Sequence, residues 1–313
     1  MAQVIPDDFD FRGFMRDTET RVKVRRASDF AEDLCKRAQP QHREKSYPGM
    51  LLRKLNQDLQ FRPGEVTCWT GYSGHRKSMF TGQTALDLCV QRQRVLMASF
   101  EMEPLETLWR MTRQCLGVEY PAAPSAEAFA RWSDDRLWVF DHMGRITPDA
   151  CLAVCRYFAE ELRGQHMFID SMMMVCASEE SMDAQKQFMT DLVRITQETG
   201  LHIHLITHCR KPASGDESKP PGKYDLRGSA AISDQAHNVV TVWANKAKKA
   251  KLDANINDFD AMAENDATVT VEKQRNGKWE GRVKFWFHEP SLRFTDDRLT
   301  PVEPYQIGGE VTA

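Results

Sequence analysis

Residues 71 to 78 bring together the side chains and glycines that a phosphate-binding loop requires, in the order Gly-Tyr-Ser-Gly-His-Arg-Lys-Ser. The β-branched and aromatic run Val66 to Thr70 before them predicts a strand, and Met79 to Gln91 after them predicts a helix. In such a unit, backbone N–H groups and the helix N-terminus attract phosphate, a lysine reaches the outer phosphates and a hydroxyl binds Mg²⁺. The candidate nucleotide-binding residues are Gly71, Ser73, Gly74, His75, Arg76, Lys77 and Ser78.

One position departs from this pattern. The form G-x-x-x-x-G-K-[ST] has glycine where this chain has Arg76. An arginine there either weakens nucleotide binding or adds a cation to it. The alternative interpretation of the whole segment is an ordinary strand–turn–helix corner.

Two carboxylates follow apolar runs that predict strands. Glu101 comes directly after Val95-Leu-Met-Ala-Ser-Phe, where it is placed to polarise the water that attacks a γ-phosphate. Asp170 ends the run His166-Met-Phe-Ile-Asp, where a carboxylate holds Mg²⁺ beside a phosphate loop. The competing interpretations are a solvated loop acid for Glu101 and a structural, paired carboxylate for Asp170.

A histidine and a cationic hairpin complete the candidate chemistry. His208 ends Leu205-Ile-Thr-His, where a polar group can touch the γ-phosphate, unless backbone groups simply satisfy the imidazole. Lys273-Gln-Arg-Asn-Gly follows a predicted strand and makes a hairpin that presents Lys273 and Arg275. An exposed arginine there can complete a neighbour's active site as an arginine finger, or it can belong to a plain charged hairpin.

A basic loop, defined here as residues 209–229, combines flexible residue types with cations. Arg210, Lys211, Lys219 and Lys223 lie among Gly, Pro and Ser residues, and Asp225-Leu-Arg-Gly-Ser-Ala follows them. Such a patch suits phosphate backbones better than base edges. A solvated surface loop is the alternative.

The alternation of strand and helix signals predicts an α/β fold with a mainly parallel sheet and helices on both faces. The predicted strands are 66–70, 94–100, 137–140, 167–169, 202–207, 239–243, 267–272 and 283–288, and the predicted helices are 79–91, 104–116, 147–163 and 182–199. Ligands of such sheets bind beyond the carboxyl ends of the strands. The polar stretch Lys246 to Asn265 is predicted to be a mobile insertion.

The bulk composition limits the possible classes of protein. The chain has 313 residues and a net charge of only −3, so nucleic-acid binding requires a local basic patch. Its eight cysteines lack metal-ligand spacing, so we expect small buried residues in a reducing compartment. With no signal peptide and no apolar run approaching about 18 residues, we expect a cytoplasmic protein that does not engage membranes.

Residues 1–60 differ from the rest of the chain, because they are charged and lack a regular apolar period. They contain the basic run Arg21 to Arg26, a predicted short amphipathic helix at Asp29 to Ala38 and a second helical stretch at Met50 to Leu55. We interpret this segment as an arm that needs a partner surface, with a small capping subdomain as the alternative.

Taken together, the motifs resemble the RecA-like helicase domain of the DnaB family, with phage primase-helicases and the Twinkle-type mitochondrial helicase as the nearest likeness. The matching pieces are Pro63-Gly-Glu-Val, the loop at 71–78, Phe100-Glu-Met-Glu, Phe168-Ile-Asp, Thr207-His, Asp225-Leu-Arg-Gly-Ser and Lys273-Gln-Arg-Asn-Gly. The resemblance implies a RecA-like P-loop NTPase domain at residues 61–295, an arm at 1–60 that docks on a neighbour, and a tail at 296–313.

The same resemblance implies a ring, typically a hexamer, that moves along single-stranded DNA in replication by hydrolysing ATP or another NTP with Mg²⁺. Lys77 and Ser78 would bind phosphate and metal, Glu101 would be the base, Asp170 the Mg²⁺ carboxylate and His208 the γ-phosphate sensor. Arg275 with Lys273 would act in trans, and Arg227, Gly228 and Ala230 would lie on or beside the DNA-facing loop.

We expect no room for a primase domain, so either priming would come from another protein, such as a separate primase or polymerase, or this is not a replicative enzyme. The competing hypotheses are a nucleotide-gated assembly ATPase of the same fold that binds proteins, and a hydrolysis-dead scaffold. Basic groups in residues 209–229 favour the DNA motor over the first of these.

Overall fold

Segments rich in β-branched and aromatic residues form a single sheet. The structure, a computed structural model, describes residues 27–38, 46–56, 58–176, 182–210, 215–222, 225 and 230–307. Within these residues the sheet has nine strands. They are β1 (Val66–Thr70), β2 (Val95–Ser99), β3 (Leu137–Val139), β4 (His166–Asp170), β5 (His202–Ile206), β6 (Asn238–Ala244), β7 (Ala267–Gln274), β8 (Gly281–His288) and β9 (Arg293–Thr295).

Helices connect most of the strands, and several begin where the sequence places a proline. After a 3₁₀ turn at Ala27–Phe30, the α-helices are α1 (Ala31–Ala38), α2 (Lys77–Val90), α3 (Pro104–Leu116), α4 (Ala123–Ser133), α5 (Pro148–Glu160), α6 (Met172–Val175), α7 (Met182–Thr199), α8 (Ala230–Gln235), α9 (Lys246–Ala254) and α10 (Phe259–Ala263). Proline lies in the first turn of α3, α4 and α5, where its missing N–H would have no partner in the helix anyway.

The strand order is β3-β2-β4-β5-β1-β6-β7-β8-β9. The first six strands in that order run parallel, and β7, β8 and β9 continue the sheet antiparallel. The predicted α/β fold with a mainly parallel sheet is therefore confirmed. Because β1, β2, β4 and β5 are parallel, the residues that follow them meet at one edge of the sheet.

Both faces of the sheet are covered by apolar side chains, which explains why the central strands read as continuous apolar runs. On one face, Trp69 packs in a cluster with Phe80 of α2. On the other face, Val66 and Cys68 pack in a cluster with residues of α5 and α7 such as Phe158 and Phe188. All six residues are buried.

The segments that flank the predicted domain also enter this core. Met50 to Leu55, predicted to be helical, forms turns instead. Met50 and Leu55 are fully buried against the α2 face, and Tyr305 and Ile307 join the same cluster from the C-terminal side. The chain from residue 46 thus packs with the core, while α1 lies within the bounds predicted for its helix.

Three further features differ from expectation. The stretch Lys246 to Asn265 lies between two strands as predicted, but it contains α9 and α10 rather than an irregular mobile insertion. Buried Lys248 anchors it through an ion pair with Asp266 at 2.7 Å. Helix α4 and strand β9 were not predicted, because α4 has a short apolar period and β9 spans only three residues.

Seven of the eight cysteines are buried, and Cys35 on α1 is exposed. None of the helices in the described ranges is both long and apolar enough to cross a membrane.

Candidate active site

The phosphate loop joins β1 to α2 at the carboxyl edge of the sheet, and two glycines make its path possible. Gly71 has φ +150°, and a Cβ on it would lie 2.2 Å from the backbone oxygen of Val242. Gly74 has φ +73°, a left-handed conformation that suits glycine. The loop therefore follows the close backbone path that the sequence pattern predicts.

Lys77 folds back into this loop. Its Nζ donates hydrogen bonds to the backbone oxygens of Gly71 and Tyr72, both at 2.9 Å, and lies 3.4 Å from Nδ1 of His208. The residue is buried, and burial lowers the pKa of its ammonium group. An anionic phosphate in the loop would compensate that buried charge better than two neutral carbonyl groups do.

The backbone conformation and side-chain contacts of Arg76 show how an arginine fits where the usual pattern has glycine. Its backbone is left-handed, with φ 64° and ψ 22°, which is why glycine is common at this position. Its guanidinium lies 3.9 Å above the ring of Phe287, and one of its nitrogens donates to Glu289 at 2.9 Å. The sequence suggested that Arg76 either weakens nucleotide binding or adds a cation to it. These contacts favour neither effect, because they hold the side chain against the end of β8.

Ser78 and Asp170, the two residues predicted to hold a metal ion, are in direct contact. The Ser78 hydroxyl donates to Oδ2 of Asp170 at 2.8 Å. Burial raises the pKa of Asp170, and a cation beside it would favour the charged form. Ser99, paired with Asp170 across β2 and β4, has a buried hydroxyl with no hydrogen-bond partner in the described residues.

Ser78, Ser99 and Asp170 line a cavity of about 20 Å³, enough for one water molecule. Hydroxyl, carboxylate and water oxygens are the ligands that Mg²⁺ prefers. The residues present therefore fit a magnesium ion.

Glu101 lies close to His208 and Ser171. Its Oε1 accepts a hydrogen bond from the Ser171 hydroxyl at 2.5 Å and lies 3.8 Å from Nε2 of His208. The interaction with His208, followed by the Ser171 hydrogen bond, lowers the pKa of Glu101 to about 2 in spite of partial burial. Glu101 is therefore ionised at neutral pH and held in a fixed orientation.

Ser171 was missed by the sequence analysis. It is fully buried and directly follows Asp170, so one strand end supplies both the candidate metal carboxylate and the donor to Glu101. The only signal was a hydroxyl side chain next to that aspartate at the carboxyl end of an apolar strand.

Lys273 and Arg275 lie at the opposite edge of the sheet. The Arg275 N–H donates to the backbone oxygen of His237, just before β6, whereas the Ala244 N–H at the end of β6 donates to His75 of the phosphate loop. Strand β6 has seven residues, so these two ends are about 20 Å apart at roughly 3.3 Å per residue. The predicted hairpin is present, but it lies far from the phosphate loop of its own chain.

The two cations of this hairpin have different surroundings. Lys273 Nζ donates to the backbone oxygens of Ser233, Asp234 and Ala236 at 2.9, 2.9 and 2.8 Å, and so caps the C-terminal end of α8. Arg275 is exposed and donates to the Asp234 backbone oxygen at 3.2 Å.

The basic loop begins beside the candidate site, directly after His208. Arg210 and Lys219 are exposed, and Ala230 is the first residue of α8. Lys211, Lys223, Arg227 and Gly228 lie outside the described residues. Where the structure describes the loop, it is tied to the site, because the Cys209 N–H donates to the backbone oxygen of Gly71 at 3.0 Å.

Comparisons with known proteins agree with this architecture. A family model described as an AAA domain matches residues 24–214, more than half of the chain. The ATPase domain of G40P is similar with a TM-score of 0.70 and 14% identity, over 86% of this chain and 99% of that chain. A DnaB-like replicative helicase, studied with its interactions with primase, is similar with a TM-score of 0.69 and 14% identity, over 88% of this chain and 68% of that one.

At 14% identity these two likenesses establish the fold, and they confirm at that level the resemblance drawn from the sequence motifs. The family match carries the assignment further, because it spans the phosphate loop and both candidate carboxylates. The chain belongs to the AAA domain family, and it is a P-loop ATPase with the RecA-like fold of DnaB-like helicase domains.

Proposed function

We propose that this chain is the motor of a DNA helicase, which hydrolyses ATP or another NTP while it moves along single-stranded DNA as a ring. The observation that carries the proposal is the division of its cations between two edges of the sheet. Lys77 and His208 lie with Glu101 and Asp170 at one edge, and Arg275 lies at the other. A complete site then requires two chains.

The nucleotide phosphates occupy the loop from Gly71 to Ser78. Lys77 exchanges its two carbonyl partners for phosphate oxygens, and the N-terminus of α2 adds partial positive charge. Ser78 and Asp170 would hold Mg²⁺, which when bound would supply positive charge to neutralise the phosphate oxygens.

Glu101 orients the attacking water. With a pKa of about 2 it is a weak proton acceptor, so its main contribution is to hold the water in line with the phosphorus atom. Its link through His208 to Lys77 lets the presence of the γ-phosphate alter the start of the basic loop, which directly follows His208.

Arg275 of each chain acts on the nucleotide of the next chain. It is exposed, and its distance from its own phosphate loop leaves a neighbouring subunit as the place where it can reach a nucleotide. Residues 1–60 contain the arm that docks on a neighbour. We propose a homo-oligomer, a hexamer in the RecA-like ring arrangement.

Single-stranded DNA passes along the basic loop, where Arg210 and Lys219 contact its phosphates. Lys211, Lys223, Arg227 and Gly228 extend the same contact, with Ala230 beside them. A separate primase or polymerase would work with this motor in replication, since one similar helicase was studied together with primase.

The test is the rate of NTP hydrolysis by the full chain with and without oligodeoxythymidine. We expect single-stranded DNA to raise the rate severalfold in wild-type protein, and Lys77→Ala to remove hydrolysis in both conditions, because the phosphates lose their main cation. Hydrolysis that depends on Lys77 but does not respond to DNA would contradict the motor and favour the nucleotide-gated assembly ATPase.

A further inference from the structure

A buried histidine connects the outer side of the phosphate loop to the basic loop. His75 is fully buried. Its Nδ1 accepts a hydrogen bond from the Ala244 N–H at 3.2 Å, and its Nε2 lies 3.0 Å from Oε2 of Glu217. Because Nδ1 is the acceptor, the ring proton is on Nε2, and it is donated to the Glu217 carboxylate.

Glu217 also binds a lysine that lies against the phosphate loop. Lys246 Nζ is 3.3 Å from the same carboxylate oxygen and 3.4 Å from the backbone oxygen of Ser73. It is 3.6 Å from the position that a Cβ of Gly74 would occupy. The ammonium group is half exposed, and Glu217 is its one carboxylate partner among the described residues.

Strand β6 holds the backbone of Glu217, which is itself part of the basic loop. The Trp243 indole N–H donates to the backbone oxygen of Glu217 at 2.8 Å. Two residues later, Lys219 is exposed and belongs to the set of cations proposed to contact DNA. A displacement of this loop by DNA therefore moves Glu217 relative to His75 and Lys246.

We propose that Glu217 is a positioning residue that transmits DNA binding to the phosphate loop. While its carboxylate binds His75 and Lys246, it neutralises the lysine. When the loop moves on single-stranded DNA, Glu217 leaves, and the Lys246 charge acts on the nucleotide phosphates. The inference rests on the proposed function, because it requires the basic loop to bind DNA.

The expected size of the effect follows from one unit charge near the phosphates. At roughly 9 Å and an effective dielectric constant of about 40, this corresponds to about a fivefold change in affinity. Removing the Glu217 charge should have the same effect as moving it away. Glu217→Gln should therefore bind ATP about fivefold more tightly than wild type without DNA, and gain less than twofold when DNA is added.

The experiment measures ATP affinity on the full chain by displacement of a fluorescent ATP analogue, with and without oligodeoxythymidine. Asp216→Asn is the matched control, since this exposed neighbour loses the same charge but binds Ser218 rather than His75. It should respond to DNA as wild type does. Lys246→Gln is the second variant, and its gain in affinity on DNA should be much smaller than that of wild type.

The outcomes separate the two proposals. If wild type gains affinity on DNA and Glu217→Gln gains equally, the role of Glu217 is refuted while the DNA motor stands. If Asp216→Asn changes ATP affinity in the same way as Glu217→Gln, the change comes from the overall charge of the loop. The specific role of the Glu217 contact with His75 is then refuted. If neither hydrolysis nor affinity of wild type responds to DNA, the proposed function fails together with this inference.

Discussion

Arg76 shows at the scale of a single residue how a poor backbone fit is offset. A left-handed conformation costs a side chain with a Cβ on the order of 1 kcal/mol relative to glycine. The contact with the Phe287 ring contributes about 0.5–2 kcal/mol and the half-exposed pair with Glu289 less than about 1 kcal/mol. The two contributions are of the same size as the cost, so the loop tolerates arginine where glycine is usual.

The role of Glu101 can be tested by a single isosteric change. Glu101→Gln keeps the size of the side chain but removes the charge that orients water, so hydrolysis should fall by about 10²–10⁴-fold while ATP still binds. Glu103→Gln, an exposed carboxylate two residues away, should keep wild-type turnover. Single-turnover hydrolysis and ATP binding measured on both variants provide the check. Normal turnover in Glu101→Gln would make Glu101 an ordinary loop acid.

At the scale of elements, helix α2 is held to both flanking segments by one buried carboxylate. Asp87 on α2 accepts a hydrogen bond from the Leu51 N–H at 2.9 Å and another from the Tyr305 hydroxyl. Burial raises the pKa of Asp87 to about 6, although both hydrogen bonds oppose that shift. Residues on either side of the predicted domain thus support the helix that carries Lys77 and Ser78.

We expect Tyr305→Phe to lower the free energy of unfolding by about 1.5–3 kcal/mol, because the buried Asp87 carboxylate loses a donor. Urea denaturation measures this change. Tyr120→Phe is the control, since Tyr120 is exposed and its change should stay within about 0.5 kcal/mol. Equal free energies of unfolding for the two variants would show that the hydrogen bond between Tyr305 and Asp87 does not stabilise α2.

At the scale of the whole molecule, three buried histidines at the centre of the sheet make stability depend on pH. His202 and His204, which the sequence places on one face of a strand, lie there together with His166. Burial lowers the pKa of His202 to about 3, and it lowers the pKa of the other two well below 6.5. All three are therefore neutral in the folded protein at physiological pH.

Since the folded pKa values are depressed, the unfolded chain binds these protons first as the pH falls. The histidine contribution to stability is complete above pH 6.5 and is lost as the pH falls below that value, down to about pH 3 for His202, with a slope of up to about 4 kcal/mol per pH unit while all three groups take part. Urea denaturation at pH 7.5, 6.5 and 5.5 should show this decline. His166→Phe should reduce the slope by about one third, and an unchanged slope would exclude His166 from the effect.

The sequence predicts best the positions of residues at the carboxyl ends of parallel strands. Glu101, Asp170 and His208 each end or follow an apolar strand, and parallel strands bring such residues to one edge, so their convergence on the phosphate loop was predictable. The strands and the four longer helices that were predicted between Val66 and His288 have bounds within a few residues of those observed, because long apolar periods dominate there, whereas the shorter helices of this range were not predicted.

Contacts between distant segments were not predictable from local patterns. Met50 to Leu55 has helix-forming residues, but burial of Met50 and Leu55 against α2 selects turns. Lys273 was expected at an active site, and the structure uses its ammonium group to cap α8, forty residues earlier in the chain. His75 and Glu217 are 142 residues apart, and no sequence pattern predicts that their side chains interact.

The central claim, a site completed by a neighbouring chain, is tested most directly by mixing two inactive variants. Arg275→Ala subunits keep an intact Lys77, and Lys77→Ala subunits keep an intact Arg275, so some mixed interfaces contain both. An arginine finger is typically worth about 10³–10⁵ in turnover, so each variant alone should be nearly inactive. The measurement is DNA-stimulated NTP hydrolysis after the two proteins have exchanged subunits. We expect the mixture to recover a readily measured fraction of wild-type activity, and a mixture as inactive as its components, with exchange demonstrated, would contradict the account.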